Sequence, residues 1–453
     1  MYKNGVSHLT ADSDLDGALQ IMQWLSYVPD RKGKAIPIFP SGDTWDRPIS
    51  YCPPKGPYDP RWFIEGKMEE TDAGEQWLSG FFDKGSFQET LGGWAQTVVI
   101  GRARLGGIPM GCIAVETRTI ERIVPADPAN PASVEQRLME AGQVWYPNSA
   151  YKTAQAIFDM NREGLPLMIF ANWRGFSGGQ QDMYDEVLKQ GAKIVDGLSA
   201  YKQPVFVYIV PNGELRGGAW VVLDPSINPD HMEMYADKDS RGGVLEPEGI
   251  VEIKYRKDKV LATMARLDSE YASLKTAAED KSKSTEEQGS AKEKLSAREQ
   301  HLWPTYQQIA LLYSDLHDRA GRMEAKGCAT TADWPEARRH FYWRLRRRLN
   351  ESHMVNKLGS AHPNMSYAER VQVLASLVEA DPTSDTAVAQ WIESHTDVVS
   401  QYAGELKSQY IADKIVEFAE SDRDGTLAGF ARIMESLSAE DRAQLVQRFS
   451  SGE

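Results

Sequence analysis

The residues best suited to chemistry lie at 171–180, ANWRGFSGGQ. Gly175-Phe176-Ser177-Gly178-Gly179 fits G-x-S-x-G, the turn on which serine hydrolases mount their nucleophile. The flanking runs LPLMIFAN and QQDMYDEVLKQGAKIVDGL predict the strand and helix that such a turn joins. That elbow, however, puts its serine directly after the strand, and here Asn172, Trp173 and Arg174 intervene. It also needs a histidine base. Between residues 46 and 255 the one histidine is His231, and His301, His317 and His340 fall in helical segments. Ser177 therefore reads as a loop hydroxyl or a helix cap.

A second glycine pair follows a second apolar run in PVFVYIVPNGELRGGAWVVLD, residues 204–224. Without side chains at such a turn, successive N–H groups of the Gly217-Gly218-Ala219 stretch can hold a developing oxyanion. A plain tight turn needs glycines for positive φ alone, and an isolated pair means no more than that. Two pairs, Gly178-Gly179 and Gly217-Gly218, after consecutive strands should lie side by side. Arg174 beside them could clamp a carboxylate with two parallel hydrogen bonds, or be a surface arginine paired with an aspartate. Trp173 and Phe176 suit either a core or the flat face of a ligand.

The elements that must position these residues follow from the patterning. Between 95 and 255, short apolar runs (AQTVVIGRARL, IPMGCIAVETR, LPLMIFAN, PVFVYIV) alternate with helical patterns over 149–161 and 181–198, which predicts βαβ units and an α/β class. The opening LDGALQIMQWLSYVP has a helical period ended by Pro29 and needs a surface to pack on. The Pro- and Gly-rich stretch from 32 to 60 predicts an irregular connection with a domain border near 45. Residues 256–300, rich in Lys and Glu, predict an antiparallel pair of long solvated helices around DKSKSTEEQGS. Aromatic residues then return to 364 in helical spacing, and 365–453 form a helical appendage.

Composition sets the outer limits. The 453-residue chain carries a formal charge of −14, which argues against a nucleic-acid partner. No apolar run has the length of a membrane span, the first residues lack a secretory pattern, and Cys52, Cys112 and Cys328 are scattered, so a soluble, cytoplasmic protein without a disulfide or zinc framework is expected. The arginines at 338, 339, 344, 346, 347 and 348 read as a charged helix face, or as contacts to phosphates or to an acidic neighbour domain.

Ten motifs in order, GRARLGG (101–107), VETRT (115–119), PADPAN (125–130), GQVWYPNSAYKTAQAI (142–157), NWRGFSGGQQDMY (172–184), ELRGGAWVV (214–222), MEMYAD (232–237), GVLEPEG (243–249), LHDRAGRM (316–323) and FYWRLRRRL (341–349), resemble the carboxyltransferase domain of eukaryotic multidomain acetyl-CoA carboxylases. The likeness runs from residue 1 to about 350. It implies a crotonase-like ββα spiral with a helical hairpin insertion and C-terminal helices. Residues 1–45 would be the tail and linker of a preceding half, 46–255 the core of the second half, 256–300 the hairpin, 301–364 helices packing back, and 365–453 the appendage. The first half would be a separate chain, or part of a longer protein.

The resemblance implies transfer of CO2 from carboxybiotin to acetyl-CoA to give malonyl-CoA in fatty acid synthesis, with no side-chain base. Arg174 would grip a carboxylate, and the amides of Gly218 and Ala219 would hold the biotin-side oxyanion. Phe176, Gly178, Gly179 and Glu246 would line the biotin pocket, and Val187 and Gly191 a dimer interface beside an inhibitor pocket. The chain has no Met-Lys-Met biotinylation site and no G-x-x-x-x-G-K-[ST] loop, so biotin is expected on another domain, with neither metal nor nucleotide bound here. Implied partners are acetyl-CoA and malonyl-CoA, the biotin carrier domain, the first carboxyltransferase half and a second copy. Two other possibilities are a dimerising, biotin-docking module inactive alone, and another crotonase-type enzyme acting on a CoA thioester.

Overall fold

The computed structural model describes residues 1–451 apart from Lys32 and Ala73. Its main sheet has seven strands: β1 (Gln88–Thr90), β2 (Val98–Leu105), β3 (Ile108–Val115), β4 (Leu167–Ala171), β5 (Val205–Ile209), β6 (Met232–Ala236) and β7 (Thr330–Thr331). They lie side by side in chain order; β1, β2 and β3 run antiparallel and β3 to β7 parallel. Every residue of β3, β4 and β5 is buried, which is why these strands read as unbroken apolar runs. Leu105 pairs with Ile108, so Gly106 and Gly107 alone make the turn, both at positive φ. Their N–H groups each donate to one oxygen of the Asp83 carboxylate at 2.8 Å.

Four helices complete a repeat that the expected βαβ pattern did not contain. A short second strand comes between each long strand and its helix. After β3 come Val144–Trp145 and α1 (Pro147–Glu163); after β4, Gly175–Phe176 and α2 (Val187–Ser199); after β5, Glu214–Arg216 and α3 (Gly217–Leu223); after β6, Arg241–Gly243 and α4 (Pro247–Lys254). The short strands pair in parallel, Val144–Trp145 with Gly175–Phe176 and Glu214–Arg216 with Arg241–Gly243, and a Trp173–Leu215 bridge joins the two pairs. This is the ββα spiral expected from the resemblance. The helix expected over 181–198 is broken: Gln180–Tyr184 ends before Glu186, whose left-handed φ of 64° starts α2 in a new direction.

Hydrophobic packing holds the layers together. Ile157 and Met160 of α1 and Ile194 and Leu198 of α2 pack on Ile113, Ile169 and Val207 of the sheet. A second cluster joins Phe63, Phe81, Phe170, Tyr208, Trp334 and Phe341 edge to face or stacked. Lys152 of α1 is fully buried, and its Nζ donates to the carbonyls of Leu91, Trp94 and Val98 at 3.0, 2.9 and 2.7 Å. It thereby ties down a turn in which Leu91 and Ala95 both have positive φ.

The hairpin after α4 has three helices, not two: α5 (Lys257–Leu267), α6 (Ser269–Glu279) and α7 (Thr285–Asp315). Asp268 breaks the first arm because its carboxylate accepts the Tyr271 N–H, capping α6, and also pairs with Arg298 at 2.7 Å. The second arm runs on through Pro304, so a border at 300 falls inside a helix.

Two compact units are present, Met1–Tyr342 and Trp343–Glu453. No border appears near 45. The proline-rich stretch is pinned to the first unit by Arg47, which donates to the carbonyls of Gly80 and Phe82, and by backbone bonds from Ile49 and Tyr51. The second unit is helical around Val355, Leu358, Leu374, Ile392 and Val399. The arginines of the cluster that fall in this unit pair with its own carboxylates: Arg344 and Arg347 with Asp385, Arg346 with Glu393 and Arg348 with Glu351. Arg338 departs from the expected charged face. It is wholly buried, bonded to Asp83 at 2.5 Å and to the carbonyls of Thr44 and Phe81, so it offers nothing to a phosphate.

The helix Asp14–Tyr27 is fixed by polar bonds, from Tyr27 to the Ser86 carbonyl and from Gln88 to the Gln20 carbonyl. Leu15, Leu19, Met22 and Leu25 stay exposed, so the first unit does not supply the packing surface expected for them.

Candidate functional site

The loops after β4 and β5 meet in the layer of short strands. The Arg216 N–H donates to the Trp173 carbonyl at 2.9 Å, which sets the loop carrying Arg174 beside the one carrying Gly217 and Gly218. Beneath them three aromatic rings stack: Trp173 on Trp145 with centroids 4.1 Å apart, and Trp145 on Phe176 at 5.1 Å. The other side of the Phe176 ring lies against two glycines. A Cβ on Gly218 would come 3.3 Å from the ring, and one on Gly191 of α2 only 2.6 Å. Gly191 is thus a glycine because Phe176 occupies its side-chain space.

Gly218 is exposed, while Ala219 is buried. As first-turn residues of α3 they have no intrahelical acceptor, and among the described residues no other group accepts their N–H bonds. Phe176, not the Gly178-Gly179 pair, makes the contact to Gly218. Nothing lies within 4 Å of a Cβ on Gly178; the Gly179 N–H donates to Ser177 Oγ at 3.3 Å and Gly179 caps the short helix Gln180–Tyr184. Ser177 Oγ in turn donates to Asp182, so its hydroxyl serves the loop and meets no histidine base.

Glu246 begins α4 as its N-cap, with its carbonyl accepting the Ile250 N–H. The same loop reaches the centre through two main-chain oxygens: the Leu245 carbonyl accepts Arg216 Nη1 at 3.1 Å, and the Val244 carbonyl lies 3.3 Å from a Cβ on Gly217. Val187 and Gly191 are both buried within the chain, so the outward surface of α2 and the preceding turn belongs to Met183, Tyr184 and Leu188.

Arg174 is more than half exposed, and its Nε donates to Glu214 Oε1 at 2.6 Å. Its two terminal nitrogens have no acceptor among the described residues. The other oxygen of Glu214 accepts Arg216 Nε at 3.0 Å, and Arg216 Nη1 bonds Asp318 at 2.5 Å. Burial works against the Arg216 charge, but the bonds to Asp318 and Glu214 outweigh it and raise its pKa. Burial likewise pushes the Asp318 carboxyl up, and the Arg216 guanidinium at 2.5 Å opposes that rise by favouring the ionised form. Asn172 completes the frame: its Oδ1 accepts Gln143 Nε2 at 2.6 Å and the Glu214 N–H at 3.0 Å. Glu214, Asn172 and Gln143 are members of the site that the sequence reading does not identify, because what joins them is a set of bonds between separate loops.

The arrangement supplies a guanidinium fork, two unclaimed main-chain donors and a flat ring, and among the described residues no group of three or more His, Cys, Asp or Glu is placed to hold a metal. It suits binding of a carboxylate beside a developing oxyanion.

A model of the carboxyl transferase domain matches residues 1–349. The chain belongs to that family. This carboxyl transferase chain is 54% identical over 459 residues to the acetyl-CoA carboxylase of Schizosaccharomyces pombe, and 51% over 452 residues to that of Saccharomyces cerevisiae. The alignments cover 100% and 99% of this chain but 20% of each relative, so it spans about a fifth of their length. A relative named acetyl-CoA carboxylase, mitochondrial, of Saccharomyces cerevisiae is 51% identical over 94% of the chain. Among solved structures, transcarboxylase 12S with methylmalonyl-coenzyme A and methylmalonic acid bound shares the fold, with a TM-score of 0.51 at 16% identity over 83% of this chain and 54% of that one.

Proposed function

We propose that this carboxyl transferase chain is the biotin-side part of the carboxyltransferase of an acetyl-CoA carboxylase, which moves a carboxyl group from carboxybiotin to acetyl-CoA to form malonyl-CoA for fatty acid synthesis. The observation that carries this is the pairing, across the Trp173–Leu215 bridge, of an arginine fork with two unclaimed amides beside the Phe176 ring. Carboxybiotin would supply the CO2 and, once relieved of it, a basic site for the methyl proton. Arg174 holds a carboxylate by its terminal nitrogens. The N–H groups of Gly218 and Ala219 meet negative charge on the ureido oxygen, a role for preorganised dipoles worth several kcal/mol in a water-poor site. Phe176 presents a flat face, and the Gly178 and Gly179 loop and the Glu246 main chain close the rim. The fit to a ureido ring rests on Gly218, whose missing side chain leaves the space beside Phe176 open.

The biotin would ride on another domain, and the CoA thioester would be bound mainly by the first carboxyltransferase half. The exposed Leu15, Leu19 and Met22 favour a covering partner of that kind, and Met183, Tyr184 and Leu188 favour a second copy. The three unpaired cysteines suit a reducing, cytoplasmic setting, and among the described residues no helix is long and apolar enough to cross a membrane. Arg174→Ala tests the reading. It empties no core, so folding is kept, and loss of a two-pronged carboxylate clamp should lower kcat/KM for biotin-dependent malonyl-CoA decarboxylation by about 10²–10³-fold. Unchanged turnover would overturn it. Turnover without any biotin would point to another reaction on CoA thioesters, and activity that appears only after the other half is added would mark the isolated chain as a docking module.

A further inference from the structure

We infer that Glu214 is the positioning residue that aims Arg174, holding its Nε edge inward so that both terminal nitrogens face the incoming carboxylate. The inference rests on the proposed role of Arg174. An ion pair to an arginine that is more than half exposed contributes little to stability. Yet Glu214 is fixed far more firmly than such a pair requires. Its N–H is held by the buried Asn172 at 3.0 Å, and its Oε2 by Arg216 at 3.0 Å. Arg216, almost wholly buried, is locked in turn by Asp318 and the Leu245 carbonyl. One oxygen, Oε1, is left over, and it takes Arg174 at 2.6 Å.

The consequence is geometric. A guanidinium has two edges able to grip a carboxylate in two-pronged fashion, one including Nε and one made of the two terminal nitrogens. With Nε engaged by Glu214, the terminal edge alone is offered. Charge matters as well, because Glu214 lies between two arginines whose repulsion it cancels. Glutamine in its place keeps the shape but has one accepting oxygen and one donating nitrogen, while both neighbours only donate. Because the two arginines bond different oxygens of Glu214, the single amide oxygen can fill one of those positions while the amide nitrogen faces the other arginine, and the exposed Arg174 is the one released.

The test is a double-mutant cycle in the full-length enzyme, read as biotin-dependent malonyl-CoA decarboxylation, with circular dichroism and thermal melting as fold controls. Glu214→Gln should cost about tenfold or more in kcat/KM, carried mainly by KM, and Glu214→Asp, which keeps the charge but ends one carbon short, should cost less. In an Arg174→Lys background, where no Nε edge exists to be aimed, Glu214→Gln should cost less than about twofold further. The same factor in both backgrounds would show that Glu214 acts independently of Arg174 and would overturn the inference, as would wild-type kinetics of Glu214→Gln beside an inactive Arg174→Ala. Wild-type kinetics of Arg174→Ala would instead sink the clamp itself. Should Glu214→Gln melt early, Glu214→Asp carries the same comparison across the two backgrounds.

Discussion

Replacing Gly191 with alanine tests whether the Phe176 ring is part of the site or only packing. The new Cβ would fall 2.6 and 2.7 Å from two ring carbons, where carbon atoms rest at about 3.5–4.0 Å. The ring must therefore retreat by roughly 1 Å. It cannot move into Trp145, on which it is stacked, so it shifts across Gly218, already 3.3 Å from a Cβ built there, or outward. Overpacking of this size costs about 1–3 kcal/mol. Alanine in a helix interior returns about 1 kcal/mol relative to glycine. The net destabilisation is then about 0–2 kcal/mol, a fall in Tm of no more than about 8 °C. A misplacement of about 1 Å beside a reacting group, by contrast, can cost about 100-fold in rate. We therefore expect Gly191→Ala to keep a cooperative melt near the wild-type temperature while biotin-dependent decarboxylation of malonyl-CoA drops 10- to 100-fold, roughly. A variant that loses stability as computed but turns over normally would refute the placement of Phe176 at the ligand.

Two further outcomes follow from the fold. Lys152→Met removes the donor shared by the carbonyls of Leu91, Trp94, Ala95 and Val98 and should destabilise the chain by about 2–4 kcal/mol in urea denaturation. Burial brings the Lys152 pKa from an unfolded value of about 10.4 down to about 7 in the fold. Between those values the unfolded chain binds more protons, so this residue's contribution to stability rises with pH; the gap between wild type and Lys152→Met should widen from pH 7 to 9, and a constant gap would refute the assignment. Leu188→Arg, on the exposed apolar surface with Met183 and Tyr184, should halve the mass seen by light scattering without changing the melt of the monomer, and an unaltered mass would exclude this surface as the contact between copies.

The long strands were legible because burial on both faces writes them as continuous apolar runs, as in LMIFA and VFVYI. The strand MEMYA was not, since Glu233 interrupts so short a run, and the second-layer strands, of two or three residues, leave no period to detect. In the hairpin, composition announced exposed helices but could not show that Asp268 would cap one and end another. At the site the glycines after β5 and the neighbouring Arg174 were readable locally. Glu214 was not, because its meaning depends on Asp318, 104 positions further along the chain, reaching Arg216 from beyond the hairpin. Arg338 shows the same limit from the other side: a window dense in arginine suggests a solvated face, and one buried carboxylate, Asp83, reverses that.

These long-range charges answer a structural need peculiar to the second layer. The main sheet sets its register through inner strands of five to eight residues, whose longer ladders and side chains packed on both faces leave no room for a slip. The layer that carries the site has strands of two or three residues, too few ladder bonds to fix its own register. Asn172, Glu214, Arg216 and Asp318 come from three different stretches of chain and lock by direction-dependent bonds where the ladder is weakest. Buried ion pairs often add little net stability compared with apolar groups of the same size. Their value here is that one arrangement satisfies all four, and any slip between the loops leaves a buried charge or carbonyl unpaired. That arrangement is also the one that leaves Arg174 with its terminal nitrogens unclaimed beside the amides of Gly218 and Ala219, so the order of the layer and the availability of the site come from the same bonds.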